Sequence, residues 1–257
     1  MKIIVAAHKP YQMPDAAIYQ QVFVGAALKT DMPDGYIGDD TGTNMSEMNP
    51  YYNELTALYW AKYNLQDEDV IGLAHYRRYL GTKTSHALKD VLTEADIVHA
   101  LTEVDVLLPK HRNYFIENQK DHYLNAHLNE PYFVMAQVIH DDYPEYEAAF
   151  KTLEKSTKIH LYNMGIMRQE LFQEYTDFVF GVLEKVQAQI PYQNYEGQDA
   201  RVFGFLAERL MDVWVNTHQL TYKEFPLVTT EKTNWVDKGS QFLRRKFVKG
   251  DAKKTHF

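Results

Sequence analysis

The sequence predicts an α/β fold in which a mostly parallel central sheet is flanked by helices and followed by a helical C-terminal part. Short apolar runs at residues 3–7, 69–74 and 104–108 are typical of buried strands, and helical patterns separate these runs and dominate the second half. Ligands of such sheets bind at the carboxyl ends of the strands. We therefore expect one domain over residues 1–237, with its site at that edge of the sheet.

The first hundred residues are predicted to alternate between strands and helices. Residues 3–7 combine β-branched and small side chains, as a central strand does, and residues 16–28 carry apolar side chains at helical spacing. Pro50 suits the first turn of a helix over residues 51–63, because proline is favoured there. The next predicted elements are a strand at 69–74, a helix at 88–101 and a strand at 104–108.

The second half is predicted to be mainly helical, with two further strands. Residues 116–155 have a helical pattern that Pro131 and Pro144 interrupt. The other predicted elements are a strand at 159–167, a helix at 169–187, a helix from about 202 and a strand at 224–228.

Composition excludes several classes of protein. The 27 Lys and Arg against 35 Asp and Glu give a formal charge of −8, which argues against a general nucleic-acid binder. The absence of cysteine excludes disulfides, thiolate metal sites, iron–sulfur clusters and a catalytic thiol. No apolar run approaches the roughly 20 residues that span a bilayer, and residues 3–7 are too short for a signal peptide. We therefore expect a cytoplasmic protein.

Residues 238–257 are basic, unlike the rest of the chain. They contain seven Lys or Arg and one acidic residue, Asp251, interleaved with Phe242 and Phe247. Each cation near an anionic bilayer contributes about 1 kcal/mol, so this tail suits contact with the inner leaflet of the cell membrane. A solvated C-terminal helix is the alternative interpretation.

Basic side chains follow the strand at 69–74. His75, Arg77 and Arg78 come directly after it, and guanidinium groups bind phosphate oxygens in a bidentate manner. We expect only one of the two arginines to reach a ligand, since neighbouring residues of a strand face opposite ways. Structural carboxylate partners for the arginines are the alternative.

The 13-residue segment GDDTGTNMSEMNP is long for a loop inside a domain, which favours a functional role. Asp39, Asp40 and Asn44 could bind a metal ion, bind sugar hydroxyls, or cap the following helix. Glu54, in the first turn of that helix, is a candidate by proximity alone.

Polar residues in the second half add further candidates. Asn163 lies in an apolar strand pattern, where a buried amide needs partners. Gln198, Asp199 and Arg201 open a helix after Gly197, a place suited to an anion or a sugar. The eleven histidines show no HExxH spacing, so a histidine metal site is not expected. The sequence also lacks GxGxxG, P-loop and GxSxG motifs.

Long segments resemble a bacterial family of glycosyltransferases that build capsular polysaccharide and exopolysaccharide: GDDTGTNMSEMNPYYNELTALYWAKYN, DVIGLAHYRRYL, DVLLPKHRNYFIE, HLYNMGIMRQELFQEY, RVFGFLAERLMDVW and KTNWVDKGSQF. They follow one another over nearly the whole chain. The resemblance implies a GT-A-like glycosyltransferase domain over residues 1–237, of the kind that binds nucleotide sugars.

The resemblance also assigns binding residues. The first strand and its following loop hold the nucleotide base in the GT-A fold, which places Ala7, His8 and Lys9 near a uracil. Such enzymes carry Mn²⁺ or Mg²⁺ on an Asp-x-Asp motif at the end of a later strand. Here the corresponding strand ends in His75 to Arg78, which suggests that arginine replaces the metal ion, so no cofactor is expected to be required.

The sugar-binding and catalytic groups are assigned from the resemblance and from the residues themselves. Asn163 and Gly165 correspond to a segment that approaches the donor sugar and the acceptor, and Gln198 to a donor-sugar contact. Asp199 is the expected catalytic base, with Asp40 the next choice. The remaining expected sugar-binding residues are Asp39, Asn44 and Arg201.

The expected reaction moves a sugar from a nucleotide-diphosphate donor to a growing polysaccharide on a lipid-linked oligosaccharide. The resemblance suggests UDP as the nucleotide and galactose or galactofuranose as the sugar. A non-catalytic carbohydrate-binding or assembly protein of the same pathway is the main alternative. A glycosidase or phosphatase would need a carboxylate pair across a cleft or a metal cluster, and no such spacing is recognisable in the sequence.

Overall fold

The computed structural model describes residues 1–231, so the basic tail predicted at 238–257 lies outside the described residues. Its strands are β1 (Lys2–Ala7), β2 (Tyr19–Phe23), β3 (Ile37–Gly38), β4 (Val70–His75), β5 (Arg78–Leu80), β6 (Val106–Pro109), β7 (Arg112–Asn113), β8 (Lys158–Ile159), β9 (Gly165–Arg168), β10 (Tyr222–Phe225) and β11 (Leu227–Thr229).

The main sheet has the strand order β10-β6-β9-β4-β1-β2-β3. Strand β1 pairs in parallel with both β2 and β4, while β9 runs antiparallel to its neighbours β4 and β6. Strands β5 and β11 extend the sheet beside β4, and β7 and β8 form a separate small ribbon. The predicted mostly parallel sheet is therefore confirmed, with β9 as the reversed strand on the main path of the described sheet.

The helices are α1 (Asn49–Tyr52), α2 (Leu55–Asn64), α3 (Glu94–Leu101), α4 (Gln119–Ala126), α5 (Asn129–Asp142), α6 (Pro144–Lys155), α7 (Gln169–Gln187), α8 (Val202–Ala207) and α9 (Leu210–Thr217). Over residues 1–231, no helix is both long and apolar enough to cross a bilayer.

Apolar side chains fill both faces of the sheet. Ile4 and Ala6 of β1 belong to a core shared with α2 and α5 to α9, whereas Ile3 and Val5 belong to a second core that includes α3. Successive side chains of a strand point to opposite faces, so this alternation shows that β1 is covered on both sides. Burial on both faces of the sheet explains why residues 3–7 are all apolar.

Residues 16–28 are not the predicted helix. They form β2 and then a short 3-10 turn at Ala26–Leu28. Val22 and Phe23 are buried, and β2 joins β1 to β3 inside the sheet. Pairing on both sides outweighs the local helical spacing, which a short segment can show in either conformation.

Three other predicted elements are interrupted. The helix at 51–63 breaks at Asn53, whose φ is 54°, and the strand at 159–167 breaks at Tyr162 and Asn163, with φ of 77° and 53°. The helix at 88–101 is a 3-10 turn followed by α3, which starts at a capping box formed by Thr93 and Asp96. Two of these interruptions, at Asn53 and at Tyr162–Asn163, border the cleft described next.

Candidate functional site

A cleft of about 360 Å³ opens at the carboxyl ends of β1 and β4. Residue Ala6 of β1 lies in register with His75 of β4, so the segments that follow these strands meet there. The cleft is lined by Ala6, Ala7, His8, Val24, Asn49, Asn53, Glu54, His75, Tyr76, Arg77, Arg78, Tyr162, Arg201, Gly204, Phe205 and Glu208. The cleft therefore lies at the edge of the sheet where the sequence predicts the site.

Two arginines line one part of the cleft. Residues Tyr76 and Arg77 form the tight turn between β4 and β5, which are joined through the pair His75 and Arg78. Because Arg77 is in the turn, Arg77 and Arg78 both line the cleft, although neighbouring residues of a continuous strand would face opposite ways. The Arg78 guanidinium lies 4.5 Å from the ring centre of Tyr162, and burial lowers its pKa.

The imidazole of His75 has a fixed role in this wall. Its Nε2 donates to the carbonyl oxygen of Tyr162 at 2.6 Å. Burial is the main cause that lowers the pKa of His75, although Glu54 acts in the opposite direction. His75 is therefore a neutral hydrogen-bond donor near pH 7, and the cationic charge of this wall belongs to the arginines.

Two carboxylates line the same cleft. Oε1 of Glu54 accepts a hydrogen bond of 2.7 Å from Nδ2 of Asn163. Oε1 of Glu208 accepts one of 3.1 Å from the backbone nitrogen of Tyr162, and its other oxygen lies 3.3 Å from the guanidinium of Arg209. Burial raises the pKa of Glu208, with Arg209 opposing that change.

The left-handed turn at Tyr162 and Asn163 joins these groups. Its backbone accepts from His75 and donates to Glu208, and the Asn163 amide also donates to the carbonyl oxygen of Gly204 at 3.1 Å. Asparagine tolerates positive φ better than most residues. The broken strand therefore fixes an aromatic ring beneath Arg78 and a carboxylate at Glu54.

The rim of the cleft is aromatic. The rings of Tyr11 and Tyr76 stack at 3.9 Å, and Nε2 of His8 lies 3.1 Å from the hydroxyl of Tyr11. Lys9 lies at the same rim, with its ammonium 5.2 Å from the ring of Tyr11. Burial, followed by the charge of Lys29, lowers the pKa of His8, so the imidazole of His8 is mostly neutral near pH 7.

A third arginine enters from the helical side. Arg201 precedes α8, and its Nε donates to Oδ1 of Asn53 at 2.8 Å. Its guanidinium also lies 5.5 Å from the ring of Phe205. The break at Asn53, between α1 and α2, thus provides the acceptor that holds Arg201 at the cleft.

The structure brings together only part of the predicted site. Six predicted residues line the cleft: Ala7, His8, His75, Arg77, Arg78 and Arg201. Lys9 lies at the rim, and Asn163 holds Glu54. The other predicted residues, which are Asp39, Asp40, Asn44, Gly165, Gln198 and Asp199, are not among those that line it.

Asp39 has a structural role in place of the expected sugar contact. Its carboxylate is fully buried and accepts hydrogen bonds from the backbone nitrogens of Gly25 and Ala26, at 2.9 and 3.0 Å, and from the hydroxyls of Thr56 and Ser46. These contacts tie the loop after β3 to the turn after β2. These four hydrogen bonds all come from groups of the protein itself.

Asp40 and Asn44 close a turn at the surface. Nδ2 of Asn44 donates to the carbonyl oxygens of Asp40 and Gly42, at 2.9 and 3.0 Å. Asparagine is favoured in such turns because its side chain forms hydrogen bonds with nearby backbone groups.

Asp199, the expected base, lines a separate small pocket with Tyr123, His127 and Leu128. Gly165 is a buried residue of β9, where a Cβ would lie 3.1 Å from the Met211 side chain. The carboxylates that do line the cleft are Glu54 and Glu208. The sequence indicated Glu54 only by its proximity to other candidates, and it did not indicate Glu208. Glu54 directly follows the break at Asn53, whereas Glu208 lies between α8 and α9, so the two share no sequence signal that would have identified both.

Comparisons with known proteins agree with this architecture. A family model described as a domain of unknown function, DUF4422, matches residues 2–219. No curated protein matches the chain. Among solved structures, the chain is similar to the bifunctional glycosyltransferase WbbM in its apo structure, with a TM-score of 0.81 and 31% sequence identity.

The similarity to WbbM covers 90% of this chain and 45% of the WbbM chain, so this chain spans less than half the length of that protein. The family match covers most of the sequence, and the chain belongs to the DUF4422 family.

Proposed function

We propose that this chain is a glycosyltransferase that takes a sugar from a nucleoside-diphosphate donor. The observation that carries the proposal is the cleft at the ends of β1 and β4, which holds three arginines and two carboxylates. Such a set suits a substrate with an anionic diphosphate at one end and a hydroxyl-rich sugar at the other. The similarity to WbbM supports the reaction class.

The diphosphate is proposed to bind to Arg77, Arg78 and Arg201. Guanidinium groups form charge-assisted hydrogen bonds with phosphate oxygens, and the same contacts stabilise the charge that develops on the leaving diphosphate. Arg77 is paired with Glu231 at 3.0 Å at the protein surface, a contact that a diphosphate can replace. A half-exposed ion pair of this kind is weak, so its loss costs little.

No divalent cation is assigned to this site. The GT-A fold implies Mn²⁺ or Mg²⁺, but the residues that end β4 here are basic, and the cleft carboxylates are already held by Asn163 and by Tyr162. This donor set fits an anion better than it fits a hard cation, which prefers several carboxylate or carbonyl oxygens. We therefore propose metal-independent donor binding.

Glu54 is proposed as the carboxylate that contacts the reacting hydroxyl. Asn163 fixes one of its oxygens, and the side chain lines the cleft. In an inverting transfer, a carboxylate in this position removes the proton of the acceptor hydroxyl. Glu54 thus replaces Asp199 in the role expected from the sequence, while Glu208 positions the turn at Tyr162.

The aromatic rim is proposed to contact the nucleotide base, with UDP as the favoured nucleotide. Tyr11, Tyr76 and His8 present ring edges and faces there, and Lys9 adds a cation. The proposed acceptor is a growing capsular polysaccharide or exopolysaccharide on a lipid carrier at the inner face of the cell membrane. The proposed transferred sugar is galactose or galactofuranose.

A nucleotide panel tests the proposal. The thermal unfolding midpoint is measured with UDP, GDP, CDP and ADP, each with Mn²⁺ and with EDTA. A ligand at 100 times its Kd stabilises the native state by about 2.7 kcal/mol, so binding is readily seen. We expect a UDP-dependent increase that persists in EDTA and is lost in Arg77→Ala and Arg78→Ala.

The control is Lys83→Ala, which removes a cation whose partner is Asp90, outside the cleft. It should leave the UDP effect unchanged. No stabilisation by any nucleotide would contradict the proposed donor and favour a carbohydrate-binding protein, and stabilisation that needs Mn²⁺ would contradict the metal-independent site.

A further inference from the structure

Two histidines and two carboxylates meet outside the cleft. His111 follows β6, His160 follows β8, Asp212 lies in α9 and Glu224 lies in β10. His111, His160 and Asp212 each bring a ligand-type atom within 4.8 Å of the others, and Glu224 lies against both imidazoles. Four segments far apart in sequence therefore supply metal-ligating groups to one place.

The orientation of His160 is fixed from one side. Its Nδ1 lies 2.5 Å from Oδ1 of Asp212, and its backbone nitrogen donates to Oδ2 of the same carboxylate at 2.8 Å. The His160 side chain is 1% exposed. Asp212 therefore accepts a hydrogen bond from Nδ1 and leaves Nε2 as the atom that faces the rest of the cluster.

Nε2 of His160 lies 3.3 Å from Oε1 of Glu224. Nε2 is the ring nitrogen that Asp212 leaves available, and it lies beside a carboxylate oxygen. Imidazole nitrogen and carboxylate oxygen are both ligands of divalent transition metals.

His111 completes the cluster. Its ring stacks on that of His160 at 3.8 Å, its Nδ1 contacts the carboxylate of Glu224, and its backbone nitrogen donates to Oε1 of Glu224 at 2.9 Å. Two imidazoles and a carboxylate therefore meet at one place, and imidazole nitrogen and carboxylate oxygen are common ligands of divalent transition metals.

We propose that His111, His160 and Glu224 bind a divalent transition-metal ion of the Zn²⁺ class, with Asp212 as the positioning residue for His160. Imidazole and carboxylate ligands suit Zn²⁺, and tetrahedral ligand atoms at about 2.0–2.1 Å from the metal lie roughly 3.3 Å apart. The Nε2 to Oε1 distance of 3.3 Å matches that spacing. The ring of His111, which stacks on His160 with Nδ1 against Glu224, must rotate for its nitrogen to reach the same ion. A carboxylate that holds the other ring nitrogen of a ligand histidine is the usual outer partner.

The proposed site lies outside the cleft and supplies no group to the proposed transferase chemistry. None of its four residues is among those that line the cleft. The ion would join the segment after β6, the segment after β8, helix α9 and strand β10. His160 lies two residues before Tyr162, so a metal there would also stiffen the turn that holds Glu54.

Metal titration of the full-length protein tests the proposal. Protein treated with EDTA and then desalted is titrated with Zn²⁺ by calorimetry and with Co²⁺ by visible absorption, and its unfolding midpoint is measured with and without Zn²⁺. We expect one ion per chain, Co²⁺ bands typical of four-coordinate geometry, and an increased midpoint. His111→Ala and Glu224→Gln should each weaken Zn²⁺ binding at least tenfold, and Asp212→Asn by roughly 10–100-fold.

The matched control is His140→Ala, because His140 also lies beside a glutamate, Glu147, at 2.8 Å, but at an exposed position on α5. It should bind Zn²⁺ as the wild type does. His111 and Glu224 are partly exposed, so their variants carry the test if the buried Asp212 variant unfolds, and circular dichroism verifies their fold. Absence of saturable binding, or binding that His111→Ala and Glu224→Gln leave unchanged, overturns the proposal.

Discussion

The side-chain amide of Asn163 donates a hydrogen bond of 2.7 Å to the carboxylate of Glu54, across 109 residues of sequence. One partner lies in a left-handed turn between β8 and β9, and the other lies at the start of α2. The bond positions a carboxylate in a cleft that also contains three arginines. This contact distinguishes Glu54 from the other acidic residues that the sequence offered.

Replacing Glu54 by glutamine should abolish most transferase activity while leaving UDP binding nearly unchanged. Glutamine keeps the size of the side chain but cannot accept the proton of an acceptor hydroxyl. Loss of a general base typically costs 10²–10⁴-fold in rate. Sugar transfer and UDP affinity are measured side by side. Asp199→Asn is the control, and a larger activity loss there than in Glu54→Gln would restore Asp199 as the base.

Arg78→Lys should weaken nucleotide binding although the charge is kept. The guanidinium of Arg78 lies over the ring of Tyr162 at 4.5 Å, and a lysine would lose both the stacking and the bidentate geometry. A hydrogen bond to a charged group contributes about 1.5–3 kcal/mol, which corresponds to roughly 10–100-fold in UDP affinity. Calorimetry gives the affinity. Equal affinity in Arg78→Lys and wild type would show that Arg78 does not bind the diphosphate directly.

Strand ends and long helices could be predicted from the sequence, whereas long-range contacts could not. Helix α7 agrees with the predicted 169–187, because its apolar spacing persists over many turns, and His75 to Arg78 were placed correctly at the end of a strand. The proposed role of Glu54 rests on its long-range contact with Asn163, and the cluster at His111 and His160 needs four separate segments. Neighbouring residues such as Asp39 and Asp40 look alike in sequence, and only tertiary structure buries one of them.

Glu208→Gln should stabilise the protein more at pH 8 than at pH 5. Burial raises the pKa of Glu208, so the folded state holds its proton more tightly than the unfolded state does. The free energy of unfolding therefore falls as the pH rises from the ordinary glutamate value of about 4.3 toward the raised value. Glutamine does not titrate, and it can still accept from Tyr162. The difference in unfolding midpoint between variant and wild type should grow with pH.

The control for this pH series is Glu103→Gln. The hydrogen bond and charge of Lys223 lower the pKa of Glu103, so this carboxyl titrates below the ordinary glutamate value and the difference between this variant and wild type should stay nearly flat from pH 5 to pH 8. A Glu208→Gln difference that is flat between pH 5 and pH 8 would contradict the raised pKa.

Deleting residues 238–257 should reduce membrane association more than it reduces turnover of a soluble acceptor. The segment carries seven basic residues, and each contributes about 1 kcal/mol near an anionic surface. Binding to vesicles with and without anionic lipid is compared for the full-length and truncated chains. The full-length chain in high salt is the control, since salt screens this attraction. Equal pelleting of the two chains with anionic vesicles would contradict the prediction.

Asp39→Ala should destabilise the fold strongly, whereas Asp40→Ala should have little effect. The Asp39 carboxylate accepts from two backbone nitrogens and two hydroxyls in a fully buried position. Each buried donor left without a partner costs about 1–3 kcal/mol, so we expect a loss of at least about 3 kcal/mol in the free energy of unfolding. Asp40 is exposed, and Asn44 contacts its backbone carbonyl, which alanine retains. Urea unfolding gives the free energy of unfolding of both variants, which are compared at the same dependence on urea concentration. Similar losses in the two variants would contradict the stabilising role of the buried network around Asp39.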